Sequence, residues 1–224
     1  MNNSRINIFT GHFGSGKTEI AINFAIYCKK YYNKVAIVDL DIVNPYFRTK
    51  DVSPVLESQD IKVVAPLFAN TNVDIPALPA EIISLFQDKE YRVIFDVGGD
   101  DSGATALGRY YRYFSNEPYD MFFVINTKRP LTDNEDSIID MLRQIEQSSR
   151  LTVTGLINNT NLSYISTLKE LLEGQEIIEN ISREIMVPIR YITGENKILS
   201  QLPDYLKDKA FPISLYLQIP WEQY

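Results

Sequence analysis

This 224-residue chain has a single cysteine and a single histidine. A lone Cys28 excludes a disulfide within the chain and any cysteine-only metal cluster held by one chain. It falls in the apolar register of a predicted helix, where a core residue belongs. Basic charge is also short. With 22 Lys and Arg against 29 Asp and Glu, the net charge is −7, which argues against a non-specific nucleic-acid binder with a basic face. No apolar run reaches membrane-spanning length, and no basic segment followed by an apolar one marks a secretory leader. The last residues, Phe211–Tyr224, hold two prolines and no basic amphipathic helix. The expectation is a cytoplasmic protein with neither nucleic acid nor membrane as partner. Its 1–224 span reads as a single domain with enough apolar sequence for one full core.

What is present is concentrated near the start. Residues 11–18 read Gly11-His12-Phe13-Gly14-Ser15-Gly16-Lys17-Thr18, which matches the G-x-x-x-x-G-K-[ST] phosphate-binding loop. A short apolar run, Ile6–Thr10, precedes it, and a helical pattern follows from Glu19. Strand, glycine-rich loop and helix N-terminus form the arrangement that this chemistry requires. Glycines let successive N–H groups turn inward on one anion, and the unpaired amides of the following helix add to that field. Lys17 is expected on the β- and γ-phosphate oxygens and the Thr18 hydroxyl on Mg²⁺. Gly11, Phe13, Gly14, Ser15 and Gly16 supply the loop backbone.

Strand-like runs alternate with helical patterns along the chain. The strands are predicted over 5–10, 34–40, 61–66, 92–97, 121–126, 152–158 and 185–191. The helices are predicted over 17–31, 79–86, 105–114, 134–147, 165–172 and 196–206. Nearly continuous β-branched runs such as Val35-Ala36-Ile37-Val38 suit strands buried on both faces. The alternation implies one doubly wound, mainly parallel α/β sheet with helices on both faces. Segment 66–80 is rich in proline and asparagine and reads as irregular.

In such a sheet, ligands sit beyond the carboxyl ends of the strands. Asp39 and Asp41 end the second strand, on the same side of the chain. Asp96 ends the fourth and opens Asp96-Val97-Gly98-Gly99, a Walker-B-like element in which an aspartate holds Mg²⁺ directly or through water. The Gly99 amide can sense a γ-phosphate and move when it leaves. Asp41 is assigned to polarising the attacking water, Asp96 to the metal shell, and Asp39 to supporting the metal or the loop. Asp100 and Asp101 read as solvated turn acids.

These elements, with Gly155-Leu156-Ile157-Asn158-Asn159, resemble the SIMIBI class of P-loop NTPases, in particular the branch of Min-type and Par-type ATPases and the nitrogenase iron protein. The resemblance implies that Asp41 is the water-activating acid and that Asn159 bonds adenine. It also implies that Val187-Pro188-Ile189, with Pro188, borders the base at a late strand end. Two departures limit it. His12 stands where that branch has a lysine reaching across a dimer, and the iron protein's cluster cysteines are absent. ATP-sandwich dimerisation therefore does not carry over, and a nucleotide-dependent homodimer stays open. His12 reads equally as a phosphate or partner contact and as a solvent-facing loop residue.

Neither Asn126-Thr127-Lys128-Arg129-Pro130 nor Asn159-Thr160-Asn161-Leu162 contains the N-K-x-D element that reads guanine, so ATP is the expected nucleotide. The first expectation is a Mg²⁺-dependent ATPase of low turnover, a switch or accessory factor for an unidentified protein partner, passing between ATP and ADP states. The alternative is an ATP-dependent small-molecule kinase or ligase using Asp100, Arg109 or Arg112. The bland reading of Arg109 and Arg112 is a solvated helix face with tyrosines partly buried. Asn44-Pro45-Tyr46-Phe47-Arg48 lies where a switch region belongs, its two aromatics either a partner surface or core anchors.

Overall fold

β-Branched and aromatic runs form eight strands in the computed structural model, which describes residues 4–41, 49–65, 79–99, 101–163 and 166–217. The strands are β1 (Ile6–Thr10), β2 (Lys34–Leu40), β3 (Ile61–Val64), β4 (Tyr91–Val97), β5 (Tyr119–Ile125), β6 (Gly155–Asn158), β7 (Ile189–Gly194) and β8 (Ala210–Pro212). They make one sheet in the order β3-β2-β4-β1-β5-β6-β7-β8, and each neighbouring pair is parallel. The expected doubly wound α/β architecture is therefore what the chain adopts. The switch segment 44–48 and Asp100 lie outside the described residues, as does the side chain of Asp101.

Eight helices accompany the strands among the described residues: α1 (Lys17–Lys29), α2 (Ser53–Ser58), α3 (Ala80–Gln87), α4 (Asp101–Gly108), α5 (Tyr111–Phe114), α6 (Glu135–Ser149), α7 (Leu168–Ile185) and α8 (Asn196–Leu199). The sheet alternates its side chains between two cores. Ile6, Ile8, Phe95 and Phe123 face the helices α3 to α7. Phe9, Ile37, Ile94 and Phe122 face α1 and α2. β1 is buried throughout, so the loop that follows it springs from the middle of the sheet, beside the ends of β4 and β5.

Two expectations are corrected by α7. The helical pattern seemed to end at Leu172, and a strand was expected from Ile185. The helix instead runs to Ile185 through Gly174. Gly174 is not a stop: a Cβ there would lie 2.1 Å from Thr160 Oγ1, so it is the residue that lets the helix approach the β6 loop. The chain reverses at Met186, a left-handed cap with φ 55°, and β7 begins only at Ile189. The pattern over 105–114 is two helices, and that over 196–206 is α8 followed by a 3₁₀ turn at Asp204–Lys209. Helix α2 and strand β8 had no periodic signal, being six and three residues long.

Candidate functional site

The loop after β1 is shaped by glycines in conformations closed to other residues. Gly16 has φ 87°, and a Cβ there would lie 2.2 Å from Asn159 Nδ2. Gly16 is also the N-cap of α1, and no side chain caps that helix. The first amides of α1 are thus left for something other than a protein side chain. Gly99 seats the β4 loop on this one: a Cβ there would lie 1.7 Å from the Gly11 carbonyl oxygen. A larger residue at 99 would push the two loops apart.

Three strand-end carboxylates converge on one lysine. Asp39 and Asp96 are register partners on β2 and β4, so both side chains point to the same face. Lys17 Nζ donates to Asp41 Oδ2 at 2.7 Å, with both side chains 5% exposed. The Asp41 amide donates to Asp39 Oδ1 at 3.0 Å. Thr49, not anticipated from sequence, donates through Oγ1 to Asp96 Oδ2 at 3.2 Å.

The electrostatics follow from burial and crowding. Burial pushes Asp39 up to about 7, and the Asp96 charge adds to it. Burial likewise pushes Asp96 up to about 6; the Lys17 charge and the hydroxyls of Thr18 and Thr49 pull the other way. For Lys17, burial favours the neutral amine, but Asp96 and Asp41 outweigh it and hold the ammonium above its ordinary value. Among the described residues no three His, Cys, Asp or Glu side chains are grouped so as to hold a metal ion unaided.

Six buried side-chain polar atoms lack a hydrogen-bond partner among the described residues, and four belong to the loop or its carboxylates: Thr10 Oγ1, His12 Nδ1, Ser15 Oγ and Asp96 Oδ1. Unsatisfied buried atoms cost folding energy and are rare, and these four lie at the loop and its carboxylates.

Asn159 belongs to the same place. Its Nδ2 donates to the Ser15 carbonyl at 2.7 Å, and its Oδ1 accepts from Thr193 Oγ1 at 2.7 Å. The amide expected at the base thus braces the phosphate loop. Thr193, at the end of β7, was missed because a threonine in a strand carries no distinguishing pattern. Pro188 is a correction. It precedes β7, and the phosphate loop lies beyond the opposite, carboxyl ends of the strands. The family resemblance had set it at a late strand end bordering the base. Arg109 and Arg112 also fall away from the loop, beyond α4 and in and beside the short α5 that leads to the start of β5. Tyr110 there is a core residue, 2% exposed.

No family model and no curated protein matches the chain. Solved structures do. The chloroplast FtsY of Physcomitrella patens superposes with a TM-score of 0.56 at 15% identity, over 86% of this chain and 59% of that one. FtsY of Mycoplasma mycoides gives 0.54 at 18% identity, over 84% and 59%. The 54 kDa signal recognition particle protein of Aeropyrum pernix, solved in complex with GDP, gives 0.53 at 16%, over 85% and 41%. The chain shares the fold of these proteins, a single parallel sheet with helices on both faces. At these identities the likeness is one of fold, and the chain spans about three-fifths of either FtsY chain. Among the described residues no helix is long and apolar enough to cross a membrane.

Proposed function

We propose that the P-loop of this chain binds ATP with Mg²⁺ and hydrolyses it slowly, so that the ATP and ADP states differ in what a partner protein meets. The observation that carries this reading is the set of unpartnered buried atoms around Lys17. A triphosphate gives Ser15 Oγ and the α1 amides their acceptors, and a hydrated cation gives Asp96 Oδ1 its partner. Thr18 and Asp96, with Asp41 beside them, are the residues that would hold Mg²⁺, completed by phosphate oxygens. The ion, when bound, neutralises charge on the β- and γ-phosphates.

Lys17 then exchanges Asp41 for phosphate oxygens. Asp41, released, is free to accept a hydrogen bond from the attacking water, and Asp39 fixes it through the Asp41 amide. Gly99 lies against Gly11, so a change at the γ-phosphate displaces the β4 loop. ATP is preferred over GTP because Asn159-Thr160-Asn161-Leu162 offers no carboxylate to the guanine edge. The second N–H of the Asn159 amide is the group an adenine ring nitrogen would take. Phosphate release, measured with ATP and with GTP and each with and without Mg²⁺, tests the reading. Metal-dependent turnover of ATP supports it, and no turnover of either nucleotide contradicts it.

A further inference from the structure

The segment between β5 and α6 is pinned at several points. Asn126, fully buried, accepts through Oδ1 from the Lys128 amide at 3.0 Å and from the Asn161 amide at 3.3 Å, and donates through Nδ2 to the Asn161 carbonyl at 3.2 Å. Thr132 Oγ1 donates back to the Asn126 carbonyl at 2.8 Å. Lys128 is tied to Glu173 at 2.7 Å. The next residue, Arg129, is treated differently. Its Nε donates to the Gly14 carbonyl in the phosphate loop at 3.2 Å. A Cβ on Gly14 would lie 3.5 Å from that Nε and 3.8 Å from Cζ, so the guanidinium rests directly on the loop. Among the described residues its two terminal nitrogens have no partner and no acid pairs with it.

Charge gives this placement a purpose. Asp39, Asp41 and Asp96 all act on Lys17, so three acids face one lysine here before any nucleotide enters. A triphosphate brings more negative charge than one Mg²⁺ removes. A second fixed cation is needed, and an arginine offers a planar fork suited to phosphate oxygens. We propose that Arg129 is a nucleotide-contacting residue, tethered by Nε to Gly14 and donating from its terminal nitrogens to the phosphate chain. The assignment rests on the reading of the loop as a nucleotide site.

The test uses the full chain and the variants Arg129→Gln and Arg129→Lys, titrated calorimetrically with ATP·Mg²⁺ and ADP·Mg²⁺ at low and high salt. Glutamine can keep the bond to Gly14 and loses the charge. It is expected to weaken ATP binding about tenfold, the size of one charge-assisted hydrogen bond, and to flatten the salt dependence. Lysine keeps the charge without the fork and is expected to recover part of that loss. All three proteins should melt alike without nucleotide. Equal affinity in the unaltered chain and in Arg129→Gln overturns the assignment alone; no binding by the unaltered chain overturns the nucleotide reading with it.

Discussion

Lys17 and Asp41 hold each other at 2.7 Å in a position where water barely reaches either side chain. Under the proposed function the pair is a resting state, with the ammonium assigned to phosphate held by the acid assigned to water. Removing it should show what it offsets. Lys17→Ala leaves three buried carboxylates without a cation, and near neutral pH the nucleotide-free chain should lose about 3 kcal/mol in urea unfolding. The same variant should recover part of that loss near pH 5. Asp39 and Asp96, both pushed up by burial, can then take up protons that the unfolded chain has already released, so its stability rises as pH falls.

Asp41→Ala separates binding from turnover. The loop amides, Lys17 and Thr18 remain, so ATP affinity should stay within a few-fold of the unaltered chain. Phosphate release should fall by about a hundredfold or more if Asp41 positions the water. Undiminished turnover removes that role.

Asn159 gives a stability test independent of any nucleotide. Asn159→Asp is nearly isosteric but sets an oxygen against the Ser15 carbonyl. It should cost about 2 kcal/mol or more in equilibrium unfolding, whereas Thr193→Val, which removes the hydroxyl's bonds to Asn159 Oδ1 and the Asn158 carbonyl but leaves the bond to Ser15, should cost about 1 kcal/mol. A neutral Asn159→Asp would mean that the brace does not hold the loop.

Glu19, in the first turn of α1, sets a pH dependence. It accepts from the Tyr216 amide at 2.5 Å and the Leu217 amide at 3.2 Å, clasping the last described residues to the helix. Burial pushes its carboxyl up to about 7 from 4.5, against the pull of those two amides. The folded chain therefore keeps the Glu19 proton between pH 4.5 and 7 while the unfolded chain loses it. This contribution favours folding below that window and is lost as pH rises through it. Glu19→Gln, which sets an amide Nε2 against one of the two donating N–H groups, should cost stability at low pH and flatten the pH profile of stability across the window. An unchanged profile contradicts the burial argument.

The sheet and the loop were legible because both depend on local pattern. A β-branched run buried on two faces announces itself, and so does a glycine-rich turn before a lysine. Asp39 and Asp96 could be placed together because parallel strands end at one edge. What stayed hidden depends on contacts between distant segments. The close approach of Gly174 to Thr160, which α7 needs in order to pack on the β6 loop, is such a contact. Thr49 and Arg129 act through one side-chain hydrogen bond each, and Thr193 through two, to residues far along the chain, and nothing in their neighbours' identities signals it.

The central claim is that buried atoms around Lys17 await a nucleoside triphosphate and its metal. Isothermal calorimetry of the unaltered chain and of Lys17→Ala with ATP·Mg²⁺ addresses it most directly. The account predicts saturable heat at one site per chain, abolished in the folded variant. No heat from the unaltered chain, or the same heat from both, contradicts it.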